Sequence, residues 1–186
     1  MTELLAARLA MPRQHSTMTI SVSGGAGEGQ TPLSAFDASL RAAGVENFNL
    51  VRLSSVIPPQ AQVSQVVGSN QLRGEWGDRL YCVYAEQRAT VPGDEAWAGI
   101  GWVFCNDTRA GGLFVEHEGS SRAFVEDSIT GSLADLTAGR PQSFGPIHMQ
   151  LASTRCIDRP VCALVVAAYE TEPWRRPLSP LSLIDR

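Results

Sequence analysis

Residues 28–59 read EGQTPLSAFDASLRAAGVENFNLVRLSSVIPP, and most of what the sequence says about the fold starts here. Thr31-Pro32 is a helix start: threonine caps a first turn well, and proline suits the first helical position, where no N–H is needed. The helix runs through LSAFDASLRAA and stops at Gly44, a residue free to adopt the left-handed C-terminal cap. Leu33, Phe36 and Leu40 make its apolar stripe, and Asp37 falls at the edge of that stripe. A carboxylate there is costly unless it reaches water, a cation or a cleft. FNLVRLSSVIPP then reads as a short strand, interrupted by Ser54-Ser55 and ended by Pro58-Pro59.

Upstream, MTISVS (18–23) alternates Met18, Ile20 and Val22 with small polar residues, the period of a half-buried strand. GGAGEGQ follows and reads as a tight turn feeding the helix. It is a poor phosphate loop, with no Lys-Ser/Thr pair, no glycine at Gln30, and Glu28 where a phosphate would sit. Downstream, LYCVYAEQRATV (80–91), EAWAGIGWVFC (95–105), GGLFVEHEG (111–119), IHMQLAST and VCALVVAAYE read as strands, the second with some helical character. SSRAFVEDSITGSLADLTAG reads as a second helix, with Val125, Ile129, Leu133 and Leu136 on one face and Gly139 as its stop. Residues 1–16 read as a loose leader, and the proline-rich tail from about residue 171 as irregular. Strands outnumber helices without alternating regularly with them, which predicts an α+β domain.

The 186 residues suit one domain with a sizeable core, 44% hydrophobic and 18% charged. A net charge of −4 with no Lys/Arg run argues against a nucleic-acid partner. No apolar stretch reaches membrane-spanning length, and the first residues lack a signal peptide's basic start and apolar run, so the expected location is the cytoplasm. Cys82, Cys105, Cys156 and Cys162 stand among apolar neighbours without a CxxC pair and read as core residues. His15, His117 and His148 are dispersed, and no metal site is expected.

Ser54-Ser55 is the place where chemistry is expected. A Ser-Ser pair ending a strand is ordinarily a polar turn, and the Gly-x-Ser-x-Gly elbow of a hydrolase is missing. Such a pair can instead cut itself. The Ser55 hydroxyl attacks the Ser54 carbonyl to give an ester, β-elimination releases the N-terminal piece, and the dehydroalanine left behind hydrolyses to a pyruvoyl group and ammonia. That chemistry needs a strained backbone and an oxyanion donor. Asn49, six residues earlier in the same predicted strand, faces the same side by parity and is a candidate donor.

The whole of 28–59 resembles the pyruvoyl-dependent arginine decarboxylase family. The shared order is a Gly/Glu turn, Thr-Pro, a helix with Ala-Phe-Asp, Asn-x-Asn-Leu, and Ser-Ser-Ile/Val-x-Pro-Pro. GGLFVEHEG is similar to the family's Gly-Leu-x-x-Glu-x-Glu-Gly. The resemblance implies a four-layer αββα sandwich cut between Ser54 and Ser55 into an N-terminal β chain of residues 1–54 and an α chain of residues 55–186. Ser55 would supply a covalent pyruvoyl cofactor, which forms a Schiff base with the α-amine of L-arginine. By position, Asn49 matches the asparagine that assists processing and catalysis. Glu116 matches the acid that returns a proton after carbon dioxide leaves, and Asp37 matches a substrate-binding aspartate. Glu118 shares the face of Glu116 by parity, where it is either a neighbouring carboxylate that helps raise that pKa or, as is commoner for such a residue, a rim residue or salt-bridge partner. His117 points the other way as a packing or surface residue. The family assembly is a homotrimer or a dimer of trimers, with sites between subunits. The alternatives are a pyruvoyl enzyme for another amino acid, since Ser-Ser chemistry is blind to substrate, and a non-catalytic homologue that binds or regulates.

Overall fold

A computed structural model of the chain describes residues 18–67 and 72–174. The elements follow the order β1 (Thr19–Glu28), α1 (Pro32–Ala43), β2 (Asn49–Arg52), β3 (Val56–Ile57), β4 (Gln62–Gln65), β5 (Arg79–Ala89), β6 (Glu95–Phe104), β7 (Gly112–Gly119), α2 (Arg122–Ala138), β8 (His148–Arg155) and β9 (Val161–Glu172). They build two sheets, one of five strands in the order β2-β5-β9-β1-β4 and one of four in the order β3-β7-β6-β8. Helix α1 packs on β1 and β9 of the larger sheet, and α2 on β6 and β7 of the smaller one. The result is the four-layer α+β sandwich, αββα, with a core in each of the three gaps.

The central core is the largest. Ile20, Val22, Val83, Ala163 and Val165 of one sheet meet Ala98, Ile100, Trp102 and Phe114 of the other. Leu40, Ala43, Leu164 and Val166 fill the gap under α1, and Val125, Ile129 and Leu133 meet Val103, Leu113 and Val115 under α2. All four cysteines are buried with free thiols, as their apolar neighbours implied. Among the described residues no helix is long and apolar enough to cross a membrane.

Helix α1 begins and ends as its sequence predicts. The Thr31 side chain accepts from Ser34 N–H while the Ser34 hydroxyl answers back, and Gly44 closes the helix in the left-handed conformation, φ 76°. Its buried face is different from the predicted stripe. Ala35, Ser39, Leu40 and Ala43 face the sheet, whereas Leu33 is 69% exposed.

The glycine-rich segment is a correction of the same origin. Gly24 to Glu28 continue β1 instead of turning, paired with β9 through Glu28 against Val161. The glycines are there for the helix above. A Cβ on Gly25 would lie 2.2 Å from the Ser39 carbonyl oxygen, and one on Gly27 2.5 Å from Ala38 Cβ. Small residues on both sides let α1 lie almost on the backbone of β1, a tertiary demand that a local turn pattern imitates.

Helix α2 forms as predicted, capped by the Ser121 side chain and ended at Gly139, though Leu136 is 40% exposed. Residues 95–105 are wholly strand through Phe104, and β9 stays paired with β5 as far as Glu172, into the predicted tail, with one register shift opposite Tyr81 and Cys82 that passes over Tyr169. The expected leader lies outside the described residues, as does the tail beyond Trp174.

Candidate active site

Ser54 and Ser55 are the whole connection between the two sheets at this edge. β2 runs parallel to β5 in the larger sheet, and Leu53 N–H extends that ladder to the Cys82 carbonyl. Three residues later Val56 is paired with Leu113 of β7 in the smaller sheet. One predicted strand is therefore two short strands in different sheets. To make the crossing Ser55 adopts φ 66°, a left-handed conformation that costs a non-glycine residue about 1–3 kcal/mol. The strain required for self-cleavage is present at the serine that would attack.

The crossing is pinned from β7. Phe114 N–H donates to the Ser55 carbonyl at 2.8 Å, and the Ser55 hydroxyl donates to Glu116 Oε1 at 2.5 Å. Alternation along β7 sends Leu113 and Val115 to α2, and Phe114 and Glu116 to the gap between sheets. Glu116 thus enters a largely apolar space. Burial raises its pKa above the usual carboxylate range, opposed by the Ser55 hydroxyl and by the nearby charges of Arg52 and His117. The cause of the shift is desolvation; Glu118 is an exposed residue further along the strand.

A cavity of about 380 Å³ opens on this pair. Ser55, Glu116 and Phe114 form one wall, and His117, Ser132 and Asp135 line the side toward α2. His117 does lie on the face opposite Glu116, where its Nε2 meets the Ser132 hydroxyl at 2.8 Å. Tyr169 reaches across from β9, its hydroxyl donating to the Val56 carbonyl at 3.1 Å. Arg52 lies 4.4 Å from the centre of the Tyr84 ring and donates to the Tyr84 carbonyl.

Residues 19–172 match the family model for pyruvoyl-dependent arginine decarboxylase. The chain belongs to the pyruvoyl-dependent arginine decarboxylase family. Curated relatives of that name include one from Methanococcus vannielii, 30% identical over 151 residues that span 81% of this chain and 88% of the relative. Another, from Halobacterium salinarum, is 37% identical over 154 residues, covering 81% of this chain and 92% of its own length. A third, from Archaeoglobus fulgidus, is 38% identical over 96 residues, 51% of this chain and 60% of its own.

Of the five residues expected from the resemblance to that family, Ser54, Ser55 and Glu116 come together and two do not. Asn49 sits at the start of β2, and its side-chain amide donates to the Gly77 carbonyl at 2.6 Å. The parity argument linking it to Ser55 fails because the two residues belong to no common strand. Asp37 is on the exposed side of α1, an outer layer, and pairs with Arg41 at 2.6 Å. Sequence reasoning passed over Arg52, Tyr169 and the Phe114 amide. Tyr169 carried a faint signal, as the one polar-tipped residue ending the aliphatic run VCALVVAAY.

Proposed function

We propose that this chain cuts itself between Ser54 and Ser55 and then decarboxylates L-arginine to agmatine through a pyruvoyl group derived from Ser55. The observation that carries the reading is the strained Ser55 hydrogen-bonded to the half-buried Glu116, inside a chain of this family.

The residues fit the group. Ser55 has left-handed backbone, a hydroxyl on a carboxylate and a carbonyl on a backbone amide, all facing a cavity large enough for an amino acid. In the uncut chain ionised Glu116 takes the proton of the Ser55 hydroxyl as it attacks the Ser54 carbonyl. Phe114 N–H keeps the Ser55 carbonyl in place throughout. A pyruvoyl group, once formed, supplies an electron sink for the pair left when the substrate's carboxylate departs as carbon dioxide. Glu116 then works in the opposite sense and delivers a proton to the substrate carbon. The cleavage itself favours this reversal. It removes the Ser55 hydroxyl, whose hydrogen bond held Glu116 toward its ionised form, and leaves burial as the main influence.

Asp37 and Asn49 complete the site from a neighbouring copy in this reading. Both are exposed, and neither meets Ser55 within one chain, which supports a trimer, or a pair of trimers, with sites between subunits. Asp37 would exchange Arg41 for the planar guanidinium of arginine, a fork that a carboxylate matches in a bidentate manner.

Intact-mass measurement of the purified protein tests the central step. Two chains are expected, residues 1–54 and 55–186, the second blocked to N-terminal sequencing. Ser55→Ala should remain one chain. A wild-type chain that stays whole after long incubation removes the proposed activity.

A further inference from the structure

We infer that Tyr169 is a positioning residue that anchors the chain end which cleavage creates. This rests on the proposed cut, and follows from counting what holds residues 55–57 before and after it. In the uncut chain the segment is tethered on both sides, through Leu53 on the Cys82 carbonyl and through Val56 and Ile57 on β7. Among the described residues two side chains also hydrogen-bond to it, Glu116 to the Ser55 hydroxyl and Tyr169 to the Val56 carbonyl. Cleavage severs the first tether and consumes the hydroxyl that Glu116 held. The reactive end then rests on a two-residue strand at the sheet edge, the Phe114 amide and Tyr169. Chain ends fray unless tied down, and a two-residue ladder ties weakly.

Tyr169 is built for the task. It stands on β9, in the middle of the larger sheet, so it links the loose end to the opposite side of the central core. Its ring is fixed edge-on against Phe114, with centroids 6.0 Å apart and planes at 65°. Burial first, then the negative charge of Glu116, pushes the phenol's pKa up, so the hydroxyl stays a donor across the working range. The acceptor is the carbonyl of the residue immediately after Ser55. Loss of that bond would let the reactive end swing relative to Glu116 without touching any group that contacts substrate.

The test is Tyr169→Phe, which keeps the ring against Phe114 and deletes only the hydroxyl, made in the wild-type chain and in uncut Ser55→Ala. Self-cleavage followed by intact mass should proceed at close to the wild-type rate, because the uncut segment keeps its other tethers. In the cut protein, amide hydrogen exchange at Val56 and Ile57 should quicken by about 2- to 12-fold, the worth of one neutral hydrogen bond, while the uncut background shows no such change. The kcat for arginine should fall by a similar factor with KM nearly unchanged. Equal acceleration of exchange in the uncut background would make Tyr169 an ordinary structural residue and overturn the inference. So would wild-type exchange and kcat in a variant that cuts normally. A wild-type chain that never cuts overturns the proposed function and this anchor together, so the two failures are distinguishable.

Discussion

Replacing Glu116 with glutamine separates its work as a hydrogen-bond acceptor from its work with protons. The amide has the size of the carboxyl and still offers an oxygen to the Ser55 hydroxyl, now 2.5 Å from Glu116 Oε1. The strained turn and the Phe114 contact should therefore survive, with a melting temperature close to wild type. Proton transfer is lost in both directions. A positioned general base or acid contributes roughly 10²- to 10⁴-fold, and a factor of 10² corresponds to about 2.7 kcal/mol of barrier. Self-cleavage, read as chain separation under denaturing conditions, should slow by at least ~10², and carbon dioxide release by the cut enzyme should fall by a similar factor.

The pH dependence sharpens the test, because the same carboxyl is asked to do opposite things. As a base it must be ionised, so cleavage should accelerate as pH rises through its titration. As an acid it must be protonated, so turnover should decline as pH rises through its titration. Burial places both limbs above the usual carboxylate range. Removal of the Ser55 hydroxyl, a group that lowers this pKa, places the turnover limb at higher pH than the cleavage limb. Glutamine should flatten both. Wild-type rates in the glutamine variant, or two limbs that slope the same way, would refute the assignment of both roles to Glu116.

Asp37→Asn tests substrate choice: a charge-assisted bond to guanidinium is worth roughly 1.5–3 kcal/mol, less about 0.5 for the exposed Arg41 pair it displaces, so KM for arginine should rise about 5- to 70-fold with cleavage intact. Unchanged arginine kinetics, or equal turnover of lysine and ornithine by the wild type, would leave a decarboxylase of another substrate. Gly25→Ala pushes a methyl group against the backbone of α1 at Ser39 and should cost roughly 1–3 kcal/mol in denaturant unfolding. Gly131→Ala, where an added Cβ meets nothing within 4 Å on α2, should instead gain about 0.5–1 kcal/mol; the opposite signs would check the packing account.

Local signals in the sequence were dependable where the structure that answers them is local. Thr31, Pro32 and Gly44 sit where capping chemistry requires them, and the two-residue period of a strand is enough to set Glu116 and His117 on opposite faces of β7. Failures occurred where the deciding contact is distant in sequence. Gly25 and Gly27 answer to a helix docked above them, so a turn pattern misreads them. Asn49 and Ser55 look like one strand because nothing local announces that Ser54-Ser55 crosses between sheets. Arg52 and Tyr169 gain meaning only from partners on other strands, Tyr84 in the first case and Val56 in the second.

That crossing also explains how the fold would tolerate a cut. Residues before Ser54 contribute β1, α1 and β2, and none of these forms a separable unit. β1 lies between β9 and β4, and β2 lies along β5, so the N-terminal piece is interleaved with strands that follow the cut. Glu28 to Ser21 pair with Val161 to Ala168 along a full antiparallel ladder, and α1 seals the outer core over Leu164 and Val166. Separating the two chains would require opening that ladder and exposing both the central and the outer core. The one connection broken is the short strained link that the two sheets do not need for their own pairing. A cut at Ser54-Ser55 therefore relieves local strain and frees a reactive end, while the sheet ladders continue to hold the halves as one body.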